Sequence, residues 1–483
     1  MSAPGRAKAE HRSAQPEGIP MTAYADKLAR LAADLAGAAS AADGTPSVGI
    51  AKTTSNLFRD RATRRAPAID LAHFDKVVAI DAAAGTVKAE GMIRYVDLVD
   101  ATLAQGTMPA VVPQLKSITL GGAVAGVGIE SSSFRHGLVH DAVVALDVLT
   151  GDGRIVTCTP DNEHRDLFHG FPNSYGTLGY ALAVTTALAA VKPYVALEHV
   201  RYRSADACFA DVARHCAECR LDFLDGTAFT PDELYLTLGR FADTAPYASD
   251  YTYLHLYYRS IRERAADFLR TRDYLWRWDT DWFWCSKNVG AQHPLVRRLL
   301  GRRRLNSITY QRIMRWNSRV GLSRAWDRLR GVHAESVIQD VDIPLDRAAE
   351  FLAFLHAEIG IRPIWICPIR ASAGVRFPLY PLRPGTVFIN FGFWDTVTGR
   401  APQPRGFHNR KVERRVAELG GLKSLYSDSY YTEDEFWSTY GRAEYAALKA
   451  RYDPDGRLGD LYAKTVVRSS STTSASSTWR KSR

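Results

Sequence analysis

Residues 119–133 read TLGGAVAGVGIESSS and place Gly121, Gly122, Gly126 and Gly128 close together, with Gly137 following shortly after. Glycine has no Cβ and takes positive φ without strain, so a run this dense lets a backbone come within hydrogen-bonding distance of a ligand. Such a run can cradle a phosphate or form the bed for a flat cofactor. The dinucleotide-binding turn is the first rival; it needs G-x-G-x-x-G straight after an apolar strand and at the start of a helix. Gly126 and Gly128 lack the third glycine, and the polar run PQLKSIT stands where that strand would be, so this reading is poor. The plain structural alternative is that the glycines only close tight turns.

The flanking elements favour the cradle. DAVVALDVLTGDGRIVTC (141–158) reads as a strand, a Gly-Asp-Gly hairpin turn and a second strand. Asp166-Leu167-Phe168, Gly176-Thr177-Leu178-Gly179-Tyr180 and the strand-like ALAVTTALAAV follow. Upstream, 21–42 has the apolar spacing of an amphipathic helix, KVVAIDAAAGTVKAEG reads as two strands, and RYVDLVDATLAQG is a helix that stops at Gly106. Downstream, LDFLDGTAFTPDELYLTLGRF reads as strand, turn, strand, and TVFINFGFWDT as a strand.

Taken in order, these words resemble the flavin-binding domain of the vanillyl-alcohol oxidase superfamily, and within it the Δ24-sterol reductase family. The matching words are TLGGAVAGVGIESSSFRHGL, GDGRIVTCTP, DLF, YGTLGY, PIWICP (363–368) and LYSDSYYTEDEFW (425–437). The resemblance runs from Ser47 to Tyr462. It implies an α+β, two-domain vanillyl-alcohol-oxidase-type flavoprotein. The FAD-binding domain would cover 21–192, an α+β cap domain 193–421, and a segment packing back on the FAD domain 422–466. Residues 1–20 and 467–483 are expected to be disordered.

The resemblance also implies where the cofactor lies. Backbone N–H groups can bind anions without a basic side chain, and two stretches would meet the FAD pyrophosphate. One is Lys52, Thr53, Thr54, Ser55 and Asn56; the other is the loop with Thr119, Gly121, Gly122, Gly126, Gly128, Ile129, Glu130 and Ser131. Gly176, Thr177 and Gly179 of YGTLGY complete the set. Some superfamily members carry a flavin-linking histidine in the first loop; no His occurs between Ser47 and Asp60, so FAD is expected to be dissociable.

Flavin supplies hydride transfer, but an isolated C=C bond accepts hydride poorly and calls for an acid close to the alkene. The candidates are Asp428, Tyr426 and Tyr430, which alternation along a strand would put on one face, with Asp340 (beside Gln339 in VIQDVDIP) next. Arg277 and Tyr274 in RDYLWRW match another family word. Each has an ordinary alternative as a satisfied core-edge tyrosine or a turn or cap aspartate. Where the family has a YYHRH-like pattern this chain has Tyr274-Leu275-Trp276-Arg277-Trp278. The stretch is more apolar for it, and a methylene-branched acyl chain becomes an attractive substrate beside a sterol or isoprenoid side chain. NADPH or a partner reductase would recharge the flavin. The competing readings are an FAD oxidase or dehydrogenase of an alcohol, aldonolactone or hydroxy acid, and a lipid-surface protein that has lost the cofactor.

Composition bounds the rest. The 483 residues are 46% hydrophobic and 24% charged, as in a globular chain of two domains. No apolar run reaches a bilayer-crossing length, and the N-terminus shows no secretory h-region. Six irregularly spaced cysteines make no disulfide framework, and the lone C-x-x-C of Cys216 and Cys219 sits in a helical pattern. The net charge of +10 is concentrated at 295–331, where eleven arginines face one acid, Asp327, amid Leu, Ile, Met and Trp. Such a segment suits an anionic membrane surface. No nucleic-acid recognition motif accompanies it. A cytoplasmic, peripherally membrane-associated protein is expected.

Overall fold

A computed structural model of the chain describes residues 20–40, 49–51, 58–59, 68–320 and 331–466. Two antiparallel sheets dominate these residues. The first has the order Val77–Asp81, Thr86–Glu90, Tyr180–Ala190, Val143–Leu149, Ile155–Cys158, with Thr107–Pro109 also pairing to Tyr180–Ala190. The hairpin read at 143–158 forms as expected, Leu149 opposite Ile155, with Gly153 at φ +86° in the turn. The strand Tyr180–Ala190 lies between two neighbours, and its first residues are buried on both faces. That burial accounts for its nearly unbroken apolar run.

The second sheet has eight strands, in the order Ala266–Arg270, Tyr194–Tyr202, Glu233–Ala242, Phe223–Thr230, Ile364–Arg370, Val387–Gly399, His333–Pro344, Leu422–Lys423. Period-two alternation sorts its side chains. Ile364 and Ile366 join a core with Phe209 and Val212 of helix Ala205–Glu218 and with Val412 and Val416 of helix Phe407–Glu418. Trp365 and Cys367 point the other way, into a core shared with Val87 and Leu146 of the first sheet. One hydrophobic core therefore runs through both sheets.

After the second sheet the chain returns to the first. Gly151 N–H donates to the Tyr452 carbonyl (2.8 Å), Tyr452 hydroxyl to Asp166 (2.8 Å), and Lys449 Nζ to the Thr177 carbonyl (3.2 Å). The six cysteines are all free; Cys216 is buried in its helix, and Cys219 caps that helix in the left-handed region. Among the described residues no group of His, Cys, Asp or Glu could hold a metal ion, and no helix is long and apolar enough to cross a membrane.

A buried charge cluster joins the sheets. Arg277 Nη2 donates to Glu130 Oε1 (2.8 Å) and Asp225 Oδ2 (2.8 Å), and all three side chains are almost wholly shielded from solvent. The guanidinium lies over the Tyr274 ring, 4.1 Å from its centroid, and Trp365 Nε1 donates to Asp225 (3.0 Å). Glu130 belongs to the glycine-rich stretch, Asp225 to a central strand of the second sheet, and Arg277 to the aromatic segment after Ala266–Arg270. Burial raises the Glu130 carboxyl above its ordinary range despite the attraction of Arg277.

Arg277→Met would keep the bulk and leave two buried carboxyls without their cation. Breaking one partner of a buried pair costs about 3–5 kcal/mol, which should appear as a lower midpoint in urea or thermal unfolding. The loss should shrink as pH falls and Glu130, already raised by burial, takes up a proton. A variant as stable as the parent at pH 7 would remove this cluster as the joint between the sheets.

Candidate functional site

The two sheets enclose a cavity floored by the glycine-rich stretch. That stretch is helical for Leu120–Ala125, where a loop was expected, and the chain turns helical again at Ser133–His136. It lies directly on the first sheet: Gly121 N–H donates to the Gly91 carbonyl (2.8 Å), and Gly91 N–H to that of Leu182 (2.8 Å). A Cβ on Gly91 would sit 1.9 Å from the Ala181 carbonyl oxygen, and one on Gly121 would sit 3.0 Å from the Gly91 oxygen and 3.1 Å from Ala181 Cβ. The missing side chain at Gly121 therefore serves the contact with the sheet below.

Of the expected cofactor residues, Thr119, Gly121, Gly122, Gly126, Gly128, Ile129, Gly176 and Gly179 line the cavity. Glu130 and Ser131 do not. Glu130 is bound to Arg277, and Ser131 Oγ is 3.0 Å from the Tyr274 hydroxyl, both turned into the joint between the sheets. Thr177 is also a correction: its hydroxyl donates to the Ser174 carbonyl (2.8 Å), and it does not line the cavity. Lys52, Thr53, Thr54, Ser55 and Asn56 lie outside the described residues, although Ile50 and Phe58 on either side of them in sequence both line the cavity.

The second sheet supplies the opposite wall. Asp340 and Asp342 are two residues apart on strand His333–Pro344, so they share one face, and both line the cavity. Asn390 and Gly392 pair with them across the neighbouring strand. Asn390 Nδ2 donates to Asp342 Oδ1 (2.7 Å) and the Tyr380 hydroxyl to Asp342 Oδ2 (2.6 Å). A Cβ at Gly392 would come within 2.7 Å of Asp340 Oδ1, so a side chain there would displace that carboxyl.

Tyr426 completes the group. Its hydroxyl accepts from Trp394 Nε1 (2.7 Å) and hydrogen-bonds to the Asp340 carboxyl. Burial pushes Asp340 up to about 7; the bond to Tyr426 opposes this and the nearby Asp342 adds to it. Asp342 is pushed up to about 6 by burial, against its bonds from Tyr380 and Asn390. Asp340 is half-buried by area and lines the cavity. Burial also holds the Tyr426 phenol well above its ordinary range, with Asp340 adding to the effect, so it stays a neutral donor.

Asp428 and Tyr430 are elsewhere, against the expectation that they share a face with Tyr426. The strand stops at Lys423, and the chain turns so that Ser427 bridges to Phe58. Without a strand there is no alternation to align the three. The Asp428 carbonyl accepts from Lys423 Nζ (2.5 Å), while Tyr430 lies over Gly406 and donates its N–H to Glu413 (3.0 Å). Gln339 faces away, its amide donating to Asn409 Oδ1 (2.8 Å).

Among the cavity residues that escaped the sequence reading are Asp342, Tyr380, Asn390, Trp394 and Ser424. The D-x-D in VIQDVDIP was the available signal, because two carboxylates at a spacing of two converge wherever the segment is a strand. Beyond Tyr426 the wall is aromatic. Phe58 stacks on Trp282 at 5.6 Å and lies 5.6 Å from Trp394 and 5.9 Å from Tyr426. Trp282, Phe283 and Trp284 hold φ of +52°, +49° and +54°, a left-handed turn of three bulky residues.

The arrangement suits a flat, elongated cofactor. Its floor is mostly glycine and alanine backbone, its walls include Leu115, Ile118, Val127 and Phe171, and at one wall a carboxyl that titrates near neutrality meets a neutral phenol. Such a pair can hold a proton at neutral pH and deliver it. Residues 32–159, which include the cavity floor, match the family described as FAD binding domain. The chain is 25% identical to the Delta(24)-sterol reductase of Homo sapiens over 411 residues, covering 80% of this chain and 75% of that one. It is also 25% identical to the Delta(24)-sterol reductase of Arabidopsis thaliana over 442 residues, covering 82% and 76%. A Delta(24)-sterol reductase homolog of Caenorhabditis elegans aligns over 451 residues at 25% identity, covering 84% and 80%. The domain match and three alignments that run through both sheets show that the chain carries an FAD-binding domain and resembles the Δ24-sterol reductases along most of its length.

Proposed function

We propose that the chain reduces an isolated C=C bond in a lipid, a methylene-branched fatty acyl chain or a sterol or isoprenoid side chain, with Asp340 as the proton donor. The observation that carries this is the Asp340–Tyr426 pair facing the cavity whose floor lies in the FAD-binding match. Bound FAD supplies hydride. The protein supplies the rest: a carboxyl kept protonated by its surroundings, a phenol that orients it, and aromatic walls that exclude water. Thr119, Gly121, Gly122, Gly126, Gly128, Ile129, Gly176 and Gly179, which line the cavity, would hold the cofactor.

Supporting a lipid substrate are the rings of Phe58, Trp282 and Trp394 beyond Tyr426 and the sterol reductase activity for which the relatives are named. We assign the FAD-binding part to 21–192 and the substrate-covering part to 193–421, because the second sheet begins with the strand Tyr194–Tyr202. NADPH or a partner reductase is the electron donor this reading calls for.

Asp340→Asn and Tyr426→Phe should keep the flavin content and lower alkene reduction, the aspartate change by about a hundredfold or more, the usual scale for general acid catalysis. Asp428→Asn and Tyr430→Phe should remain within a few-fold of the parent, since neither lines the cavity. Full turnover in Asp340→Asn would eliminate the assigned acid. Reduced protein that oxygen rapidly reoxidises to give peroxide, with no alkene reduced, would point to an oxidase.

The pH profile supplies a second test. An acid is active in its protonated form, so kcat/KM should be flat below pH 7 and fall about tenfold per unit above it, with the break set by the raised Asp340 carboxyl. The limb should vanish in Asp340→Asn. In deuterium oxide one new hydrogen of the product should carry the solvent label and the other should not.

The purified protein should be yellow and release its FAD on acid or heat treatment, since no histidine stands between Ser47 and Asp60. Flavin that stays with the denatured polypeptide would mean a covalent link at some other residue.

A further inference from the structure

Residues 294–320 carry eight arginines and no acid. They fold as helix Pro294–Leu300, a single turn at Arg302–Arg304 and helix Ser307–Val320. Among the described residues nine large apolar side chains are exposed, and five of them, Leu295, Leu299, Met314, Trp316 and Val320, fall in this stretch. Leu299 is 83% exposed and Trp316 56%. On the first helix Leu295, Arg298 and Leu299 share an outward face while Arg297 is buried. On the second, Arg312, Trp316 and Val320 fall at i, i+4 and i+8 on another, while Ser307 and Tyr310 are buried. Apolar side chains and guanidinium groups therefore leave the protein from one segment.

We propose that this segment is a docking face for an anionic lipid bilayer. Exposed leucines and a tryptophan between arginines match the acyl-headgroup boundary, where the rings and stems bury and the cations meet phosphate. A nucleic acid would answer the arginines but leave Leu295, Leu299 and Val320 without a role. Arg302 is engaged with Asp250 (2.9 Å) and Thr252 (2.7 Å), so the freer cations are Arg298, Arg303, Arg304 and Arg312.

The face is tied to the aromatic wall of the cavity. The Tyr310 hydroxyl donates to the Thr280 carbonyl (2.9 Å) and its ring stacks on Trp282 at 6.4 Å; Ser307 Oγ donates to Asp279 (2.7 Å). Trp282 in turn stacks on Phe58, which lines the cavity. Docking would thus set the aromatic end of the site beside the bilayer that holds a lipid substrate. This last point rests on the lipid-reductase reading; the docking itself does not.

The test is co-sedimentation of the flavin-loaded protein with phosphatidylcholine vesicles, with and without phosphatidylglycerol. Binding should require the anionic lipid and weaken as salt rises, because surface attraction is screened beyond about 8 Å at physiological ionic strength. Replacing Arg298, Arg303 and Arg304 with Gln should weaken it about a hundredfold, the combined effect of three basic side chains near the lipid. Leu299→Ser with Trp316→Ser should weaken it as well. All five positions are exposed, so flavin content and thermal midpoint report whether each variant is folded.

Equal binding to neutral vesicles, or no change in either folded variant, would overturn the proposal. So would binding to a polynucleotide that depends on the arginines but not on Leu299 and Trp316. Vesicle binding needs no turnover, so bound protein that reduces no alkene would count against the reductase reading alone.

Discussion

One guanidinium sets the relation between the two sheets. Arg277 lies where solvent does not reach, and its Nη2 meets a carboxylate from the cofactor floor and one from a central strand of the second sheet. Two carboxyls on one cation leave an excess negative charge in a low-dielectric interior, which burial resolves by pushing Glu130 toward its protonated form. A buried pair of this kind is weak evidence of net stability, since apolar packing could match it. Its value here is positional, because few other arrangements of the loop and the sheet satisfy the same three groups.

That position matters because the site has two unrelated halves. The floor comes from the first sheet, where Gly91, Gly121 and Ala181 let three backbones touch. The proton-holding groups come from the second, where strand His333–Pro344 presents Asp340 and Asp342 on one face. Asp342 adds to the cost of ionising Asp340, whose carboxyl burial pushes up to about 7, while burial alone pushes Asp342 up to about 6. Asymmetry in the partners separates their roles. Asp342 is saturated by Tyr380 and Asn390, whereas Asp340 has Tyr426 on one side and the space left by Gly392 on the other.

Local patterns were legible where local physics decides the outcome. The hairpin at 143–158 and the pair Phe223–Thr230 and Glu233–Ala242 follow from strand-forming runs around turn residues, the strand Tyr180–Ala190 from its apolar run, and all form. The glycine stretch was found for its density, yet its contact with Gly91 depends on a strand remote from it in sequence. Glu130 reads as a cofactor residue because the resemblance places it in the glycine-rich stretch; its partner is 147 residues away. Asp428 and Tyr430 failed for the opposite reason, since alternation presumes a strand and this one ends two residues after it begins. Asn390 became visible only once its strand was in register with that of Asp342.

The tryptophans that set this chain apart from the family pattern bear on both chemistry and substrate. Trp276, Trp278, Trp282 and Trp284 are buried, and their indole N–H groups find no acceptor among the described residues, so ring packing alone holds them. Trp278 stacks on Phe283 at 4.7 Å, Phe283 meets Trp394 at 4.8 Å, and Trp394 reaches the Tyr426 hydroxyl. A wall with so few polar groups offers little solvation to a carboxylate. The same desolvation that keeps Asp340 protonated near neutrality therefore also favours a hydrocarbon chain beside it. A more polar wall would weaken both at once, lowering the acid's pKa while making the place less hospitable to an alkene with no polar group of its own.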